Sequence, residues 1–264
     1  MRLWYQSATD FRTHPNYASA LETHARRILG TNVSVSFHGR EAGMGGDLPM
    51  TDVIGSPIVY QSVVLPEFVN ALMTAETEGC DAFILGSYSE PCLAELRSLA
   101  KIPIVSIAEA TYLTAMTLAP KVGIITLSKL VVPHIEKSLA LHKISDRTTG
   151  VTLVDDWMEE ETLDEQFLRP GPYLDKVRAA VRKSAAGGAQ LVVPAEGLVA
   201  LISAQNGLDA VDGIPLLDSV GTALLFAEFQ AKLFAGTRIA HSKIAYRPPS
   251  PEAVSHLRKL FTGR

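Results

Sequence analysis

Ser87 and Glu196 each end a short apolar run, and the segments around them are alike. Gly79-Cys-Asp-Ala-Phe-Ile-Leu-Gly-Ser87 precedes Ile102-Pro-Ile-Val-Ser-Ile-Ala-Glu-Ala110, and Gly188-Ala-Gln-Leu-Val-Val-Pro-Ala-Glu196 precedes Ile214-Pro-Leu-Leu-Asp-Ser-Val-Gly221. Each reads as a small-residue turn, a buried strand, a polar tip, a helix and a second short strand opening at Ile-Pro. A duplicated half implies two facing lobes with Ser87 and Glu196 across a cleft. That arrangement suits chemistry on both faces of one small molecule.

The two side chains are not equivalent as catalysts. An unperturbed glutamate titrates near ~4.3, and desolvation in a cleft raises that towards neutrality. Glu196 is therefore a candidate general acid/base or activator of water. A serine hydroxyl is far less acidic and needs a neighbouring base to react. Ser87 is better suited to donate a hydrogen bond to a carboxylate or enolate oxygen. One base supports tautomerisation, decarboxylation with protonation on one face, or hydrolysis of a ring amide. It supports stereoinversion only if it reaches both faces or the enolate turns over. Structural readings stand beside these: Glu196 as a solvated anion at a helix N-terminus, and Ser87 as a helix N-cap.

The elements that must hold these tips are readable from periodicity. Strands are expected at Leu3–Tyr5, Val33–Phe37, Ala82–Leu85, Ile104–Ile107, Lys121–Thr126, Val151–Val154 and Leu191–Val193, with Leu216-Leu217 in one more. Helices are expected at Tyr17–Leu29 (capped by Asn16), Glu67–Glu78 after Pro66, Pro91–Ala100, Ala110–Leu118, Pro133–Leu141, Tyr173–Ala186, Ser219–Phe234 and within Pro248–Phe261. Strands alternate with helices and are continuous apolar runs, which favours parallel sheets covered on both faces. Ligands of such sheets bind beyond the carboxyl ends of the strands. The strand-end residues Gln6, Ser7, Ser87, Thr126, Ser128 and Glu196 thus form the candidate site. Thr126 and Ser128 precede a helix whose backbone N–H groups suit an anion. Tyr88 flanks the first tip and reads as pocket wall or core, and Glu109 reads as an interlobe contact.

The 264 residues are 47% hydrophobic and 20% charged, with a net charge of −4. This composition supports a folded core and gives no basic footprint for nucleic acid. Cys80 and Cys92 are the only cysteines, which argues against a disulfide scaffold. No signal peptide and no apolar run near ~20 residues are apparent, so a cytoplasmic protein with no membrane partner is expected. The seven histidines form no H-E-x-x-H pair, so no metal is expected. Gly43-Met-Gly-Gly46 has the wrong spacing for a dinucleotide fingerprint. The acidic stretch from Asp155 to Glu165 reads as a solvated helix or lid. Trp157 and Met158 lie inside it.

In order and spacing these motifs resemble the aspartate/glutamate racemase superfamily, in its hydantoin racemase-like branch. Gly79 to Pro91 looks like that branch's first catalytic loop, and Ile107-Ala-Glu-Ala110 like the segment after it. Gly123-Ile-Ile-Thr-Leu-Ser128 looks like its third motif and Gly188 to Gly197 like its second catalytic loop. Ser242-Lys243 with Tyr246 is similar to its C-terminal signature. The resemblance implies an α/β fold of two pseudo-symmetric lobes, each a parallel sheet of about four strands flanked by helices. The active site would lie in the interlobe cleft and use no cofactor. Residues 1–108 plus 223–264 would form the first lobe and 109–222 the second.

The resemblance also implies a two-base pair of cysteines, one per lobe. Ser87 stands where the first would be and Glu196 where the second would be, with Gly197 after it as the pattern requires. Neither Cys80 nor Cys92 matches a catalytic position. Gln6 and Ser7 would orient a substrate carboxylate or ureide. The expected function is a cofactor-independent racemase-family enzyme acting on a small carboxylate or cyclic ureide, with Glu196 as acid/base and Ser87 as donor. The alternatives are a single-base hydrolase or decarboxylase, and a binding protein that kept the cleft without the chemistry. The apolar helix around Thr222–Phe229 suits a homo-oligomer interface as well as a core.

Overall fold

The computed structural model describes residues 1–41, 48, 50–154 and 160–262. The first half runs β1 (Arg2–Gln6), α1 (Pro15–Ile28), β2 (Ser34–His38), α2 (Met50–Gly55), α3 (Pro57–Thr77), β3 (Ala82–Leu85), α4 (Leu93–Leu99), β4 (Ile104–Ser106) and α5 (Ile107–Leu118). The second runs β5 (Val122–Thr126), α6 (Val132–Leu141), β6 (Thr148–Leu153), α7 (Glu160–Leu163), α8 (Gly171–Ala186), β7 (Leu191–Pro194), α9 (Gly197–Gln205), β8 (Ala210–Val211) and β9 (Ile214–Pro215). α10 (Ser219–Thr237) and α11 (Pro251–Thr262) close the chain.

The strands form a four-stranded sheet ordered β2-β1-β3-β4 and a three-stranded sheet ordered β6-β5-β7, all parallel. Taken in order of appearance, both sheets run second, first, third. A single parallel bridge between Val192 and Leu216 marks the fourth place in the second sheet. No full strand forms there, because β8 and β9 pair with each other through Asp212-Gly213. Both of those residues have positive φ, 50° and 84°, as a two-residue hairpin turn requires. The duplication read in the sequence is therefore a duplication of strand order.

Alternate residues of the first sheet serve different cores. Leu3, Tyr5, Ala82 and Ile84 join a cluster that continues through Ile124, Val193 and Leu224 of the second half. Trp4, Phe83 and Leu85 face a second cluster with Phe68, Leu72 and Leu96. β3, β5 and β7 are buried along their whole length. This explains their unbroken apolar character.

Local signals fail where tertiary burial outweighs them. The helix expected to start after Pro66 starts at Pro57, and Pro66 lies inside it. An interior proline costs about 3 kcal/mol. Burying Val63, Val64, Phe68, Val69 and Leu72 at roughly 1.5–3 kcal/mol each more than offsets that. The same helix is 21 residues long and apolar enough to cross a membrane by length and composition, contrary to the expectation that no run approaches that length. Half of that window is buried inside the fold. Asn16 does not cap α1; the helix begins at Pro15 after His14. α4 starts later than Pro91 because Glu90 and Cys92 have positive φ of 48° and 50°. Ile107 opens α5 rather than ending β4, since Ser106 caps that helix by accepting from the Glu109 N–H.

Glu90 fastens the loop after β3 to the second half. Its carboxylate accepts from the hydroxyls of Ser106 and Ser138, and His142 Nε2 lies 2.9 Å from both of its oxygens. Glu109 pairs with Arg97 and lies 3.7 Å from His142 Nδ1, and the Arg97 guanidinium sits 5.7 Å from the Tyr246 ring centre. Burial alone would raise Glu90, but hydrogen bonds from His142, Ser106 and Ser138 hold it below the usual carboxylate range. Burial would lower His142, and Glu90 outweighs it, so the imidazole is raised. The Glu90 contribution is present above the unfolded glutamate value and lost as pH falls through its lowered folded value. The His142 contribution is present below the unfolded histidine value and lost as pH rises through its raised folded value. Stabilisation is thus complete between roughly 4.3 and 6.5. Glu90→Gln is expected to cost about 1–3 kcal/mol at pH 6 in urea unfolding and to flatten this pH dependence. An unaltered pH profile in the variant would contradict the pairing.

Candidate active site

The carboxyl ends of β1, β3, β5 and β7 open on a cavity of about 140 Å³. Its polar wall includes Ser7, Thr9, His14, Tyr17, Tyr60, Ser87, Ser128 and Glu196. Its apolar wall includes Ile54, Leu127, Val131, Leu163 and Leu198. Tips from both sheets meet here, beyond the carboxyl ends of the strands where such sheets bind ligands.

Glu196 follows β7 with extended backbone, φ −153° and ψ 134°, and its side chain makes no capping bond to α9. It turns towards β5 instead, where the Thr126 hydroxyl donates to Oε1 at 3.1 Å. Burial pushes the Glu196 carboxyl up to about 7, with the Thr126 bond acting in the opposite sense. Near neutral pH both protonation states are populated, as an acid/base group needs.

Ser87 follows Gly86 at the end of β3. A Cβ on Gly86 would fall 2.4 Å from the ring of Tyr5, and Tyr5 is fully buried, so only glycine lets this tip pass. Ser87 Oγ lies 2.8 Å from Ser89 Oγ, and Ser89 in turn contacts the Tyr60 hydroxyl. Burial pushes the Tyr60 phenol up to about 12. Ser87 does not cap α4, whose N-cap is Cys92.

Tyr17 reaches the cavity through a long-range cap. Asp164 Oδ2 accepts from the Asn16 N–H at 3.1 Å and Oδ1 from the Tyr17 N–H at 2.9 Å. These satisfy free N–H groups in the first turn of α1. A Cβ on Gly197 would come within 2.5 Å of the Tyr17 hydroxyl, so the glycine after Glu196 makes room for it. Burial pushes the Tyr17 phenol up to about 12. The acidic stretch is thus not solvated throughout: Asp164 is buried. Residues 155–159, with Trp157 and Met158, lie outside the described residues, as does Gly43-Met-Gly-Gly46.

The structure brings Ser7, Ser87, Tyr88, Ser128, Glu196 and Gly197 to one cavity, and Thr126 holds Glu196 from behind. Tyr88 is a buried wall whose hydroxyl donates to Thr111 Oγ1 at 3.1 Å. Ser7 accepts from the Thr9 N–H and Ser128 from the Leu130 N–H. Gln6 is turned away from this cavity. It accepts from Trp4 Nε1 and donates to the Gly39 carbonyl, on the opposite face of β1. The period of two along a strand explains this, since only one of Gln6 and Ser7 can face the cleft. Tyr17, Tyr60 and the apolar wall were not foreseen. Tyr60 sits three residues into a helix masked by Pro66, and Tyr17 depends on an acid 147 residues away.

Among the described residues the wall contains no cysteine, lysine or arginine. Cys80 and Cys92 are buried in the cluster outside the first sheet. Fold and site together define a two-sheet α/β protein with a carboxyl and several hydroxyls converging between like strand ends. The Asp/Glu/Hydantoin racemase family model matches residues 47–227, and the chain belongs to that family. It is 25% identical over 168 residues to the hydantoin racemase of Rhizobium meliloti, covering 64% of this chain and 67% of that protein. It is 25% identical over 198 residues to the hydantoin racemase of a Pseudomonas species (strain NS671), covering 73% and 74%. In fold it is similar to allantoin racemase from Klebsiella pneumoniae, with TM-score 0.74 and 18% identity over 95% of this chain and 94% of that one. Glutamate racemase RacE1 from Bacillus anthracis is a more distant likeness, with TM-score 0.58 and 12% identity over 99% and 94%.

Proposed function

We propose that this protein is an isomerase that moves a proton at a carbon next to a carbonyl in a small, uncharged cyclic ureide. The observation that carries this reading is Glu196, a carboxyl pushed up to about 7 at the floor of the shared cavity. As carboxylate it takes the proton, and Ser87 donates a hydrogen bond to the oxygen on which negative charge develops. The reading needs no cofactor, since the base and the donors are side chains. It takes residues 1–108 with 223–264 as one lobe and 109–222 as the other, the substrate lying between them.

A neutral ring is favoured over a carboxylate by charge. A carboxylate entering this partly desolvated cavity meets the like charge of Glu196 when that group is ionised to act as base, and the described wall offers no lysine or arginine to offset it. A ureide ring matches those hydroxyls, and Ile54, Leu127, Val131, Leu163 and Leu198 suit an apolar substituent. Membership of a racemase family and the ureide racemases among its relatives support the same substrate class.

The single carboxyl in the described wall also fits hydrolysis of the ring or decarboxylation. Product mass separates these. With enantiopure 5-isopropylhydantoin and 5-benzylhydantoin, isomerisation leaves the mass unchanged while optical rotation decays. A gain of one water would move the protein to the hydrolases. Loss of CO₂ from an arylmalonate would make it a lyase.

A further inference from the structure

We infer that Tyr60, acting through Ser89 and Ser87, is a second proton-transfer arm of the site, serving the substrate face opposite Glu196. This rests on the proposed carbon-acid chemistry and adds to it the group that makes inversion feasible. Three observations carry it. First, Ser87 Oγ lies 2.8 Å from Ser89 Oγ, and Ser89 Oγ contacts the Tyr60 hydroxyl, so three exchangeable protons form one chain. Second, both ends of that chain, Tyr60 and Ser87, line the cavity that holds Glu196. Third, the two groups come from equivalent places: Ser87 follows β3 and Glu196 follows β7, the third strands of two sheets with the same strand order.

Serine alone is a poor acid, which is why Ser87 needs a partner. A phenol is a far better one, and even when raised by burial to about 12 it remains more acidic than an aliphatic alcohol. The step balances. Glu196 removes a proton from carbon, and the C–H electron pair passes into the adjoining carbonyl as an enolate. The enolate carbon then takes the Ser87 proton on the other face, forming the new C–H bond. Ser89 replaces the Ser87 proton and Tyr60 replaces that of Ser89, leaving a phenolate at Tyr60 and a neutral Glu196. Water returns a proton to the phenolate and accepts one from Glu196. The reverse direction starts from the opposite state, with Tyr60 as phenolate and Glu196 protonated: Tyr60 takes the Ser89 proton, Ser89 that of Ser87 and Ser87 the proton from carbon, while Glu196 protonates the other face.

The test separates exchange from inversion. Each enantiomer of 5-isopropylhydantoin is incubated in D₂O with wild type, Tyr60→Phe and Ser89→Ala. Deuterium at carbon is read by NMR and configuration by chiral chromatography. In both variants Glu196 still opens and recloses the C–H bond of the enantiomer whose C5 hydrogen faces it, whereas the other enantiomer loses exchange and inversion together. For the first enantiomer deuterium therefore enters the recovered starting material, while inversion relative to that exchange falls by about 10²-fold or more. A merely structural role for Tyr60 would lower both together for both enantiomers. Equal loss of exchange and inversion for both enantiomers, or an unchanged ratio for both, overturns the relay. Tyr60→Phe keeps the ring packed beside His134, and thermal unfolding verifies that both variants fold. Failure of the underlying reading looks different: Glu196→Gln would then leave both processes intact.

Discussion

Replacing Glu196 by glutamine is expected to lower kcat by about 10²–10⁴-fold, the usual weight of a positioned acid/base. Glutamine keeps the size of the side chain and can still accept from Thr126, so the loss reports proton transfer rather than packing. In wild type, kcat/KM is expected to rise with pH and level off above about 7, because the ionised form of Glu196 is the base. Stability moves the other way. The folded state holds the Glu196 proton more tightly than the unfolded chain does, so this group favours folding below 4.5 and opposes it as pH rises towards about 7. The cavity still admits water, so the full shift, ~3 kcal/mol, is an upper bound. Glu196→Gln removes that penalty. The variant is expected to be less active yet more stable than wild type at pH 8, with the stability difference closing at pH 4.5. Urea unfolding at the two pH values measures it, and equal stabilities at pH 8 would mean that the carboxyl is not desolvated.

The second large effect is expected at Gly86, the residue before Ser87. Its added Cβ in Gly86→Ala would meet the Tyr5 ring at 2.4 Å. That ring is fully buried, in a core shared with Ile84, Ile107 and Leu224. It has nowhere to go, and overpacking of this kind costs about 1–3 kcal/mol. The strand end yields in part, which displaces Ser87 from the cavity wall. A misplacement of about 1 Å in such a group costs about 10²-fold in rate. The expected variant is folded, less stable by chemical denaturation and slow even where it is folded. Gly197→Ala is the parallel case in the other half of the site. Its Cβ meets the Tyr17 hydroxyl at the cavity wall, and Tyr17 is itself buried in the core that holds Tyr5, so stability falls by about 1–3 kcal/mol while KM rises as Tyr17 moves. An unchanged stability and KM in Gly197→Ala would mean that Tyr17 does not press on this position.

What was legible in the chain was what local pattern determines. Continuous apolar runs marked the parallel strands, and the repeat around Ser87 and Glu196 pointed to two like halves, whose shared strand order the structure adds. The tips were legible as a site because ligands of such sheets bind beyond the carboxyl ends of the strands. What stayed hidden was set by distant partners. Tyr17 enters the site because Asp164 caps α1 from the other half of the chain. Tyr60 enters it from a helix that Pro66 disguised. Gln6 leaves it because β1 turns alternate residues to opposite faces, and the Trp4 indole and Gly39 carbonyl hold its amide there. The fourth strand of the second sheet shrank to one bridge, since the hairpin at Asp212-Gly213 competes for its residues.

The most direct test of carbon-acid chemistry at Glu196 is proton NMR in D₂O with an enantiopure 5-substituted hydantoin, run side by side with wild type and Glu196→Gln. The expected result is loss of the C5 proton signal with an unchanged skeleton in wild type, at a rate that collapses in the variant. Equal deuterium uptake by the two proteins, or none by wild type across a panel of 5-alkyl and 5-aryl hydantoins, would contradict the assignment of Glu196 as the base.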